Sequence, residues 1–162
     1  MNQPIRLDEI LELYFQEAKE WMTRWAKMCP TFYVFPGIPD KHVGQYDLKY
    51  LPDEATLIKT TGRIIKRIAK LEAWAYFIVT DAWILAGGES AKRKLVHTDR
   101  PAAQEIQSEA VWAELYTREY HLGKIAPYER QAGRAVFRGE ESKIGPDKDF
   151  GAQFSLLLKP HE

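Results

Sequence analysis

Apolar residues recur at helical spacing near the start of the chain. Leu7, Ile10, Leu11, Tyr14, Phe15, Ala18, Trp21, Met22 and Trp25 fall on one broad stripe, and Glu9, Glu12, Gln16, Lys19, Glu20 and Thr23 occupy the other side. The pattern predicts a helix from Leu7 to about Lys27, with acids early and Arg24 and Lys27 late, as the helix dipole favours. Trp21 and Trp25 are expected in the core with the rest of the stripe. Pro30 stops the helix, because it lacks the amide and restricts Cys29 before it. Thr31–Phe35 is β-branched and aromatic and ends at Pro36-Gly37, which predicts a strand. Residues 38–52 read as a long loop, either a functional surface or the cover of a short element.

A proline and two acids, Pro52-Asp53-Glu54, mark the start of a second helix. Leu57, Ile58, Thr61, Ile64, Ile65 and Ile68 form its expected inward stripe. The opposite arc holds Lys59, Arg63, Lys66, Arg67 and Lys70, with no acid between Glu54 and Glu72. Like charges at i,i+4 spacing cost a few tenths of a kcal/mol per pair, so something must offset them. Acidic neighbours within the fold or an acidic partner would do so.

Beyond Leu71 the period changes from helical to alternating. Residues 73–85 are apolar on both alternating faces, which predicts a central strand covered on each side. Asp81 interrupts one of those faces. It is expected where that face reaches the sheet edge and water; the alternative is a buried functional acid. Residues 87–107 read as a polar loop. Residues 110–121 and 124–130 read as a hairpin turning at Leu122-Gly123, and residues 134–138 and 150–158 as further strands. The expected fold is a single α+β domain spanning residues 1–162. Its antiparallel sheet has about four to five strands, with two long amphipathic helices packed on one face.

Composition narrows the function classes. The chain has 162 residues, 45% hydrophobic and 28% charged, which suits a globular domain. Its 23 basic and 23 acidic residues balance, so any electrostatic specialisation is local. The single cysteine, Cys29, excludes an internal disulfide and a cysteine zinc site. No run of 18 apolar residues and no signal-like start are present, and a cytoplasmic protein is expected.

Motifs for catalysis are sparse. Nucleophile-elbow, P-loop and dinucleotide fingerprints are missing, so no cofactor is expected. His42, His97, His121 and His161 lack metal-ligand spacing, and no metal is expected. Glu119 and His121 share a strand side, as His97 and Asp99 would in an extended segment, and either is an acid–base candidate. Glu141-Ser142-Lys143 has the E-x-K form of one nuclease class, in which a carboxylate binds metal and a lysine steadies the attacking water. Asp81 would have to supply the second acid.

The segment YFIVTDAWIL, followed by DRPAAQEIQSEAVWAELYTREYHLGKIAPYER, resembles small uncharacterised proteins of bacteria and their phages. In these a strand ending in an acid-Ala-Trp segment precedes an Arg-Pro turn and another long strand. The resemblance covers about residues 73–130, with Thr-Asp here where the pattern has Ser-Glu, and it implies no activity. The leading expectation is a non-enzymatic binding module, which would use Lys59, Arg63, Lys66, Arg67, Lys70 and the flanking loops. Its partner would be an acidic protein surface or, as the first alternative, nucleic acid; no membrane contact is expected, and self-association is compatible with the sequence. The second alternative is a small metal- or carboxylate-dependent hydrolase built on Asp81, Glu119, His121, Glu141 and Lys143.

Overall fold

A strand that is apolar on both faces needs cover on both, and that requirement organises this molecule. The computed structural model describes residues 6–38, 41–48, 53–85, 91–93, 102–139, 141–145 and 152–160. Among them, α1 (Leu7–Trp25) leads into β1 (Thr31–Phe35) and β2 (Gly44–Asp47), then α2 (Glu54–Lys70). The long strands β3 (Ala75–Leu85), β5 (Ile106–Thr117) and β6 (His121–Gln131) follow, with the short β4 (Ala91–Arg93), β7 (Arg134–Val136) and β8 (Ser142–Lys143). All pairings are antiparallel, in the order β2-β1-β3-β5-β6-β7, with β4 beside β3 and β8 beside β6.

Two expectations about architecture are overturned here. The sheet has eight strands rather than four to five, and the helices do not share a face. Leu7, Leu11, Phe15, Ala18 and Met22 of α1 pack with Phe77, Val79, Val111, Ala113 and Leu115. Ile64 and Ile68 of α2 pack on the other side, with Phe32, Val34, Tyr76, Ile78 and Tyr116. The cause is β3, whose residues from Ala75 to Trp83 are all buried. Helices on one face would leave Tyr76, Ile78 and Tyr116 in water.

Local corrections have equally local causes. Trp21 and Trp25 are 56% and 53% exposed rather than in the core. The sheet covers the row Leu7-Leu11-Phe15-Ala18-Met22, and Trp21 lies roughly a quarter-turn from its centre. The two indoles instead rest against each other, with ring centroids 6.0 Å apart. Ile58 and Ile65 are likewise exposed, so the inward row of α2 is narrower than six residues.

The loop at 38–52 conceals β2. The β5–β6 turn falls at Arg118–Tyr120, not at Leu122-Gly123, because the Thr117 hydroxyl accepts from the amides of Glu119 and Tyr120. In place of a strand, Ala152–Leu157 is a 3-10 helix whose Phe154, with the following Leu158, is buried at a spacing of four.

Candidate functional site: the basic face of the second helix

The described residues singled out from the sequence do not converge. Asp81 is on the α1 face of β3, opposite Val111, and is only 3% exposed. The expected position at the sheet edge is therefore wrong: its neighbour Val111 on β5 is fully buried, and Trp83, the next residue on the same face of β3, is buried as well. The Thr80 hydroxyl lies 3.4 Å from Asp81 Oδ1. Burial raises the pKa of the nearby Tyr128 hydroxyl well above its ordinary value, and the charges of Glu109 and Asp81 raise it further.

Glu141 does not await a metal. Lys19 Nζ donates to its Oε1 at 2.6 Å, Gln16 Nε2 at 3.2 Å, and Lys124 Nζ to its Oε2 at 3.1 Å. Lys124 also bonds Glu12, so two acids and two bases fasten α1 across β6. Lys143 is exposed on β8, and Glu119 is exposed in the hairpin turn. Among the described residues, no three His, Cys, Asp or Glu side chains gather as metal ligands do. His97 and Asp99 lie outside the described residues.

The ion network predicts a pH effect. Burial works to raise the pKa of Glu141, but hydrogen bonds from Lys19, Lys124 and Gln16 outweigh it and hold it below the ordinary value. The hydrogen bond from Lys124 holds Glu12 down as well. Both folded values lie below the unfolded ones, so the stabilisation is complete above the ordinary carboxylate range and disappears as the pH falls through the lowered values. These side chains are part-exposed, and screening keeps the expected cost of Glu141→Gln to about 1 kcal/mol at neutral pH. Chemical unfolding of both proteins at about pH 7 and about pH 3 checks this: the difference should shrink in acid.

His121 does find an acid, but it is Glu114. Cross-strand pairing sets Tyr116 opposite His121 and Glu114 opposite Gly123, all on the α2 face. Glu114 is 0% exposed; its Oε1 accepts from Tyr116 Oη at 3.0 Å and lies 3.3 Å from His121 Nε2. Gly123 makes this arrangement fit, since a Cβ there would come within 2.9 Å of His121 Cε1 and 2.6 Å of Ile144. Nothing flagged Glu114 in advance except its place between Trp112 and Tyr116 on one alternating face. Asp81 is on the opposite face of the sheet, so a hydrolase built on Asp81 and His121 together is not assembled. The Glu114 carboxylate is enclosed, which suits a structural polar node better than a reactive group.

The five bases of α2 are arranged otherwise. Asp53 caps the helix by accepting the Thr56 amide at 2.7 Å, and Ile64 and Ile68 anchor it to the sheet. That orientation leaves Lys59, Arg63, Lys66, Arg67 and Lys70 all exposed. Arg67 lies over the Tyr46 ring at 5.2 Å. None of the five is ion-paired with an acid among the described residues. Ile58, 66% exposed, and Ile65, 40% exposed, adjoin them. The 3-10 helix Ala152–Leu157 packs against α2 and leaves Leu156 and Leu157 exposed.

No helix among the described residues is long and apolar enough to cross a membrane. No protein-family model, curated protein or solved structure matches this chain.

Proposed function

We propose that this chain is a non-enzymatic binding module whose second helix docks an acidic protein surface. The observation that carries the reading is that the α2 bases have no acidic partner among the described residues. Five like charges on one helix face need an offset, and no acid of the described chain provides one. An acidic partner would. The exposed Ile58 and Ile65 beside the bases favour protein over nucleic acid. A phosphate backbone is held by charge alone, whereas a protein interface combines charge with a desolvated apolar centre. The same proposal makes this a protein of a bacterium or its phage that works in the bacterial cytoplasm; the resemblance of residues 73–130 supports the origin.

Charge reversal tests the reading. Arg63→Glu with Lys66→Glu spares Arg67, which rests on Tyr46. Both altered positions are exposed, so the fold should survive and the i,i+4 repulsion should ease. Binding to polyglutamate is expected to weaken about 10–100-fold. Titration of the wild type and the variant at two salt concentrations, beside single-stranded and duplex DNA, measures it. Unchanged affinity for polyglutamate would reduce this face to solvated surface. Tight DNA binding with a steep salt slope would move the partner to nucleic acid.

A further inference from the structure

Ala55, Ile58, Gly62, Ile65 and Ala69 follow one another at spacings of three and four along the exposed side of α2. At about 100° per residue they lie within roughly 80° of each other, directly beside the arc of bases. This is the pattern by which one helix receives the side chains of another.

Gly62 sharpens it. A glycine inside a helix is destabilising relative to alanine. Such a residue is usually explained by backbone or side chains pressing against it. Here a Cβ would meet nothing within 4 Å. None of the described residues presses on this glycine, whereas a partner approaching α2 closely would make use of it. Its neighbours on the seam, Ile58 and Ile65, project into solvent on either side of the gap.

From these features we infer that α2 pairs lengthwise with an amphipathic helix of an acidic partner. The inference rests on the proposed acidic docking face and specifies the shape of what docks there. The partner's apolar row would enter the gap over Gly62 between Ile58 and Ile65. Its acidic flank would meet Lys59, Arg63, Lys66 and Lys70. A second copy of α2 does not fit, because each copy would bring five bases to one interface. An anionic membrane fits poorly too: the seam carries only two large side chains, neither aromatic, whereas interfacial helices insert Trp, Phe or Leu.

The test uses the full chain and a synthetic helical peptide of about 20 residues, long enough to span α2. It carries Leu at three-four spacing and Glu on the flanks; a scrambled peptide of the same composition is the control. Phosphatidylserine vesicles and the bare protein at rising concentration are run alongside. The ordered peptide should bind the wild type at least about tenfold more tightly than the scrambled one. Gly62→Leu should raise Tm by a few degrees, since leucine is the better helix former, while weakening the ordered peptide at least about tenfold. That opposition of stability and binding is the signature, and a folding defect cannot mimic it. Equal binding of both peptides, full binding by Gly62→Leu, or capture by vesicles or self-association instead of the peptide would overturn the inference. The two readings fail separately. If Arg63→Glu with Lys66→Glu abolishes polyglutamate binding while Gly62→Leu leaves the ordered peptide untouched, the acidic docking face stands and the helical partner falls. If charge reversal changes nothing, both fall.

Discussion

Alanine at Tyr76 is expected to destabilise the fold by about 3–5 kcal/mol, the range of large aromatic truncations in cores. The ring is fully buried in β3 and holds together elements distant in sequence. It stacks on Phe32 of β1 at 5.1 Å and on Tyr116 of β5 at 4.9 Å, and meets Phe154 edge-on at 5.8 Å. Removing it opens a cavity beneath α2 and also forfeits three ring contacts, each worth about 0.5–1.5 kcal/mol beyond area. Denaturant titration measures the loss, with Trp21→Ala as an internal comparison. The exposed Trp21 indole touches mainly Trp25, so its truncation should cost less than about 1 kcal/mol. A ranking in the opposite order would mean that α1, not the α2 side of the sheet, holds the main core.

That ranking reverses what the stripe of α1 suggests, and the reason is general. Helical periodicity locates the apolar arc but not how much of it a neighbour covers. The stripe from Leu7 to Trp25 is both wider and longer than the contact with the sheet: Trp21 falls to the side of the covered row, and Trp25, in line with that row, stands at the last residue of the helix beyond Met22. The extent of α1, the start of α2 and the double-sided strand β3 were legible from spacing, capping and alternation. The placement of helices on opposite faces was implied by that same strand, since two apolar faces need two covers.

Residues 152–158 misled for a different reason. Short apolar runs fit a strand and a tight helical turn equally, and only the burial of Phe154 and Leu158 at a spacing of four decides between them. Of the proposed site, the five bases and their common face were readable from the helical wheel. The lack of acidic partners among the described residues was not, because ion pairs depend on contacts between residues far apart in the chain. Glu114 was hidden most deeply: its partner His121 is opposed through a turn whose position depends on the Thr117 hydroxyl.

The Glu114–His121 contact should behave as a coupled structural unit. Glu114→Leu would leave the Tyr116 hydroxyl and His121 without their carboxylate in a buried site. His121→Phe would keep a ring against Tyr116, where the centroids lie 4.6 Å apart, but remove the imidazole beside Glu114. Removing one side of a buried polar or charged pair costs the other a partner, so each single change is expected to cost about 2 kcal/mol. Replacing both by apolar side chains removes the group that the single change deprived. The double variant should therefore lose at least about 1.5 kcal/mol less than the sum of the singles. A four-protein denaturation cycle gives the coupling directly, and additive losses would show that Glu114 and His121 do not depend on each other. The double variant also separates structure from function. The bases of α2 point away from the sheet that carries this node, so once folded it should bind polyglutamate as the wild type does. Lost binding by a well-folded double variant would instead place the node within the working surface.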